Sequence, residues 1–175
     1  MKSTMHEKHN TQSGKPTQSH SMQMEHKGHY KNLLWMMIAS FIAMYILMYA
    51  MVDKFANVIP NFNQFYMAGL MSAPMLIIEL LLMGKMYPNK KLNTILIGVG
   101  IALLVLFFSL IRTQAAIGDR QFLKSMIPHH AGAILMVEQS NLSDPDVRKL
   151  AKEIIDAQNK EINFMKSKIK ELENK

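Results

Sequence analysis

The chain has 175 residues, 49% of them hydrophobic, with 17 methionines, no cysteine and a formal net charge of +7. Without cysteine there is neither a disulfide framework nor thiolate chemistry, so a soft metal ion can be held only by thioether, imidazole or carboxylate. The charge divides as +3 over residues 1–31, +3 over 32–118 and +1 over 119–175, so no segment concentrates the positive patch of a nucleic-acid interface and that partner is excluded.

Residues 1–31 are polar, rich in Ser, Gln, Lys, His and Met, with Gly14 and Pro16 and no apolar periodicity. That composition predicts a tail disordered on its own. Five of the seven histidines fall here, at His6, His9, His20, His26 and His29, with Met5, Met22 and Met24 among them. The stretch HSMQMEHKGH (residues 20–29) is similar to the Met and His clusters that bind Cu(I) or Ag(I) in flexible peptides. His20, Met22, Met24, His26 and His29 are therefore secondary candidate ligands. A solvated leader of drifting composition explains the same residues equally well.

Three apolar blocks follow and define a membrane domain over 32–112. Residues 33–52 and 92–111 are uncharged runs, and 65–83 carries only Glu79. Each is long enough to cross about 30 Å of hydrocarbon as a helix, with spans expected at 33–52, 65–86 and 92–111. The first block exceeds a usual signal-peptide core and follows a long polar tail, so it is expected to remain as an anchor. Lys27 and Lys31 precede the first span, and Lys85, Lys90 and Lys91 lie between the second and third. By the positive-inside rule these ends are cytoplasmic, which places the 53–64 loop and everything after Ile111 outside. Lys54, Arg112, Arg120 and Lys124 oppose this but are fewer and more scattered. The same orientation puts the His/Met tail inside, so either it meets metal on the cytoplasmic face or the orientation is inverted.

Within the first span Met37, Met44, Met48 and Met51 lie within about 60° on a helical wheel. Met71, Met75, Glu79, Met83 and Met86 form a broader stripe in the second, and the third has no methionine. Methionine is a flexible gap-filler, so helix packing is the expected role of these stripes and conduction the lesser one. Glu79 is different: an ionisable group in a span faces the bundle interior, unless it is protonated or snorkels toward Lys85. Pro74 should kink the helix one turn earlier.

After Arg112 the chain turns polar again. Asp119 can cap a helix to about Gln139, ended by Asn141, and Asp144 with Pro145 and Asp146 is a strong start for another. Leu150, Ile154, Ala157, Glu161, Phe164 and Ile169 trace an interrupted apolar stripe along it. Two helices bury little alone. The expected remedy is a partner copy completing a four-helix bundle, or docking against the membrane-facing loop.

The first of these helices holds the most informative stretch, FLKSMIPHHAGAILM (residues 122–136). Met126 and His130 are four apart and His129 and Met136 seven apart, so thioethers and imidazoles form two neighbouring stripes. Pro128 either starts the helix or kinks it, and so fixes where the histidines point. Gln158, Glu161 and Met165 repeat the spacing downstream. Antiparallel pairing of the two helices would set oxygen, nitrogen and sulfur donors facing one another.

The pattern Asp119, Phe122, Met126, Pro128, His129, His130, Gly132, Ala133, Met136, then Leu150, Ala151, Ile154, Ile155, Gln158, Glu161 and Met165, resembles the bacterial domain of unknown function family 305. The likeness covers about the last third of the chain, assigned here to 113–175, and its MIPHH core is specific. One departure is Ala131, where the residue after the histidine pair is often polar in the family. The resemblance implies a ferritin-like helical domain and copper or silver handling outside the cytoplasm, at a bacterial inner membrane.

The expected fold is therefore all-α: three transmembrane helices, then a soluble antiparallel hairpin that dimerises into a four-helix bundle. The expected function is a membrane-anchored protein for Cu(I) or Ag(I), with Met126, His129, His130, Met136, Glu161 and Met165 as ligands. A non-catalytic interaction subunit, whose hairpin mediates oligomerisation, is the alternative; there the histidine pair only hydrogen-bonds Gln158 or Glu161 between helices. No enzyme is expected, because HExxH, GxSxG and a Cys nucleophile are missing. A carboxylate-bridged di-iron site needs Glu followed three residues later by His, whereas Gln158 is followed by Glu161.

Overall fold

The computed structural model describes residues 17–174, with side chains from residue 28 onward. Among the described residues the fold is all-helical, without a strand. Helix α1 (Thr17–Leu47) tightens into a 3₁₀ turn (Met48–Met51), and a second 3₁₀ turn (Phe55–Asn57) lies in the loop leading to α2 (Phe62–Leu82). Then come α3 (Lys90–Thr113), α4 (Asp119–Gln139) and α5 (Pro145–Glu173). The backbone of α1 thus reaches back to Thr17, into the segment expected to be disordered. His6 and His9, and the side chains of His20, Met22, Met24 and His26, lie outside the described residues.

Three segments are long and apolar enough to cross a membrane: Gly28–Met51, Phe62–Leu82 and Lys90–Thr113. The second begins earlier than its apolar run because Asn61 caps it, accepting the Gln64 N–H at 3.0 Å. Asn89 does the same for α3 through the Leu92 N–H at 3.0 Å. α2 is the central span, packed on α1 and on α3. Its buried face combines Tyr66, Leu76 and Leu80 with a run of small residues, Ala68, Gly69, Ser72 and Ala73, which let neighbouring backbones approach. At Gly69 the Phe107 ring occupies the place where a Cβ would sit, 2.4 Å from its position. α3 fully buries only Gly100, packs Leu96, Ile97 and Phe107 against the other spans, and leaves Ile95, Val99, Ile101, Leu103, Val105, Leu106 and Phe108 exposed, as a helix on the outside of a membrane bundle does.

At one end of the spans Tyr30 donates to Asn93 Oδ1 at 2.7 Å, and its ring lies 5.2 Å from that of Tyr87. Tyr87 in turn donates to Glu79 Oε1 at 3.2 Å, so the carboxyl within the span is answered by a phenol rather than by Lys85. Burial, and then the Glu79 carboxyl, push the Tyr87 hydroxyl up, which keeps its proton in place as the donor.

The other end carries the α4–α5 hairpin, whose helices are not among the candidate spans. Lys124 and Glu173 pair at 3.3 Å, joining the start of α4 to the end of α5 and making the two antiparallel. Gly118 rather than Asp119 precedes α4, leaving Asp119 in its first turn where a negative charge favours the helix dipole. Ser140, not Asn141, closes it. Asp144 caps α5 as the sequence predicts, accepting the Asp146 and Val147 N–H groups at 2.9 and 3.0 Å, with Pro145 opening the helix. The core joins Ile127, Ala131 and Ile134 to Ile162, Met165 and Ile169, and Val52 and Ile59 of the α1–α2 loop pack against it. Docking on that loop therefore supplies apolar cover that two helices lack. Lys166 secures the seam, donating to Ala56 O at 3.0 Å and to Asn57 Oδ1, while Asn57 donates to Asp53.

The inward stripe of α5 differs from the expected one. Ala151, Ile162, Met165 and Ile169 are buried, whereas Leu150 and Phe164 are 55% and 63% exposed. An interrupted stripe with lysines on both flanks fits two registers one residue apart, and Ile127 and Ile134 select the one that meets them.

Candidate metal centre

α4 runs unbroken through the buried Pro128, so the proline neither starts the helix nor ends it. Helical period then divides the helix into faces. Ile127, Ala131 and Ile134 point to α5, and Met126, His129, Gly132, Ala133 and Met136 share a stripe turned toward the membrane domain.

That stripe forms one wall of a cleft of about 520 Å³ between the hairpin and the spans. Met48 and Met51, on the 3₁₀ turn after α1, and Met67 of α2 form the facing wall. Five methionines and one histidine thus border one space. No Asp, Glu, Lys or Arg lines it; its polar groups are amides and a hydroxyl, Asn61, Asn63, Gln64, Gln114 and Ser125. A neutral, sulfur-rich cavity suits a soft monovalent ion and is poorly matched to Ca²⁺, Mg²⁺ or other hard cations, which need oxygen anions.

The two walls are held together by specific contacts. Asn63 donates to Gln114 Oε1 at 3.0 Å and to Ser125 Oγ at 3.2 Å, and the Phe62 N–H donates to Gln121 Oε1 at 3.3 Å. Gln114 sits in the left-handed region, φ 50°, where α3 ends and the chain turns toward α4. At Gly132 an added Cβ would lie 3.4 Å from Met51 O and 4.0 Å from Met51 Cβ, ordinary contact, so α4 rests close on the Met48–Met51 turn with room for a methyl group there.

The sequence-predicted ligands do not all meet. Met126, His129 and Met136 line the cleft, while His130, Glu161 and Met165 do not. His130 turns toward α5, where its Nδ1 lies 3.0 Å from Glu161 Oε2. This is close approach without an aligned N–H···O bond, and the buried Nδ1 has no other partner. Glu161 is itself half exposed, and Met165 is core, with Met126 packed against the same cluster. Among the described residues no three His, Asp or Glu side chains are grouped to hold an ion. His29, the one described member of the tail set, adjoins Tyr30 at the far end of the spans from the cleft.

Residues 109–169 match the family model described as Domain of unknown function (DUF305). The chain is also 36% identical over 148 residues to an uncharacterized protein of Acanthamoeba polyphaga mimivirus, covering 82% of this chain and 95% of the viral protein. The chain belongs to that protein's family and carries a DUF305 domain. The aligned length exceeds the DUF305 segment, so the likeness takes in residues outside it. No solved structure matches.

Sequence reasoning assigned Met48 and Met51 to helix packing and passed over Met67. The stripe through Met71 and Met75 extends one turn back to Met67, four residues before Met71, and that periodicity was the available signal. Asn63 and Gln114 carried none, since isolated amides at helix ends resemble ordinary caps.

Proposed function

We propose that this protein binds and handles Cu(I) or Ag(I) as cargo at a membrane, through the DUF305 domain. The observation that carries the reading is that Met126, His129 and Met136 share one uncharged cleft. Thioether and neutral imidazole donors select a soft monovalent ion, and the absence of cysteine leaves no competing thiolate. His130 and Glu161 act in this reading as an interhelix pair flanking the site, and Met165 as its packing support. The lysine-rich end, with Lys31, Lys85, Lys90 and Lys91, faces the cytoplasm and the DUF305 domain faces outward, in a bacterial-type inner membrane. An impermeant reagent should then label a cysteine engineered at Lys175 in intact cells, and protection there would reverse the orientation.

The test is a Cu(I) titration of the full chain in detergent against a competing chelator. Replacing His129 with Ala and Met126 with Leu together should weaken binding by at least about tenfold, the scale on which even residues supporting a metal ligand act. An unchanged titration would remove the metal reading.

A second reading has its own observation. Leu150 and Phe164 are exposed on one side of α5, an apolar face available for a second copy or a membrane partner. In this reading the hairpin mediates assembly, and sedimentation in matched-density detergent should show a dimer that Phe164→Glu dissociates.

A further inference from the structure

We infer that Met48, Met51 and Met67 of the membrane domain belong to the same metal site, so that a bound ion bridges the spans and the DUF305 domain. The inference rests on the soft-metal reading above and names the rest of its ligand set.

Five of the fifteen residues lining the cleft are methionine, against 17 of 175 in the chain. They arrive from separate elements: Met48 and Met51 from the turn after α1, Met67 from α2, Met126 and Met136 from α4. A packing role draws methionine into close contact with other apolar groups, as Met165 is in the hairpin core. Met126 shares that contact, but three of the five cleft methionines do not. Met51, Met67 and Met136 keep 56%, 39% and 55% of their surface exposed while bordering a shared cavity.

Charge decides what such a cavity accepts. Six neutral donors leave a monovalent ion with its single charge uncompensated, so the site tolerates Cu(I) or Ag(I) far better than a divalent ion stripped of water. The amide oxygens of Asn61, Asn63 and Gln64 are engaged by the Gln64 N–H, the Gln114 amide and the Asn61 amide, so the methionines and His129 are the donors left to an ion. Three rotatable bonds per methionine let the sulfurs close on an ion much smaller than the cavity. The structure thus places methionines from both walls around one space, while the hairpin alone contributes two methionines and one histidine.

The experiment uses the full chain in detergent micelles, labelled with ¹³C at the methionine methyl groups, and silver nitrate as the probe. Ag(I) should shift the methyl resonances of Met48, Met51 and Met67 together with those of Met126 and Met136, leaving Met71 and Met165 unmoved. In parallel, the triple variant Met48→Leu, Met51→Leu, Met67→Leu should lose at least about tenfold in Cu(I) affinity, on the same scale as loss of a ligand's supporting residue. Shifts confined to Met126 and Met136, with binding that the triple variant leaves unchanged, would overturn the bridging inference and leave the soft-metal reading standing. No response of any methyl group, with no Cu(I) retained by the unmodified protein, would overturn both.

Discussion

Asn63 at the start of α2 and Gln114 at the end of α3 exchange side-chain amides: Asn63 Nδ2 donates to Gln114 Oε1 at 3.0 Å, and Gln114 Nε2 donates back to Asn63 Oδ1 at 3.2 Å. Because Asn63 also reaches Ser125 on α4, this exchange fixes how the hairpin sits over the spans. Each bond is partly exposed, so Asn63→Ala should cost about 0.5–1.5 kcal/mol of local stability rather than unfold the protein. Hydrogen exchange should show faster opening in α4 than in α2 or α3. Equal protection in the variant and the parent would mean the clasp does not hold the cleft.

The approach of α4 to the Met48–Met51 turn leaves room for only a small residue at position 132. Alanine fits, since its Cβ would make ordinary contact with Met51. A larger branched side chain does not, so Gly132→Val should separate the walls and weaken Ag(I) binding while Gly132→Ala keeps it. Ag(I) titration of both variants reads the difference, and equal affinities would show that close approach is not required.

The neighbours His129 and His130 should behave differently. His129 lines the cleft, whereas His130 contacts the half-exposed Glu161, a pairing worth about 0–1 kcal/mol at most when solvent screens it. His130→Gln should therefore leave Cu(I) affinity within about twofold, well under the 1.4 kcal/mol that makes a tenfold change. His129→Gln should lower it markedly. Reversed sensitivities would move the site to the α4–α5 interface.

Asp144 is the cap of α5 and accepts two backbone N–H groups. Asp144→Ala should destabilise the hairpin by about 1 kcal/mol, and Asp144→Asn by much less because the amide oxygen still accepts. Thermal unfolding of the full chain followed by far-UV dichroism distinguishes them. Identical curves for all three proteins would show that the cap is dispensable.

Much of the architecture is written in the local order of residues. Apolar runs longer than a bilayer is thick specify three spans, and Asp144 followed by Pro145 starts α5 where both its cap and its first turn are satisfied. The spacing from Met126 to Met136 likewise shows that donors share helix faces, because periodicity is a property of a helix alone. Which face meets which neighbour is a property of the assembled chain. Tertiary packing turned His129 to the cleft and His130 to Glu161, although they are adjacent in sequence, by committing Ile127, Ala131 and Ile134 to α5. It placed Leu150 and Phe164 outside, and it brought Met48, Met51 and Met67 opposite Met126 and Met136 across the largest sequence separations in the site. A helical period gives the angle between two side chains on one helix, but only docking of the hairpin on the α1–α2 loop decides what lies opposite them.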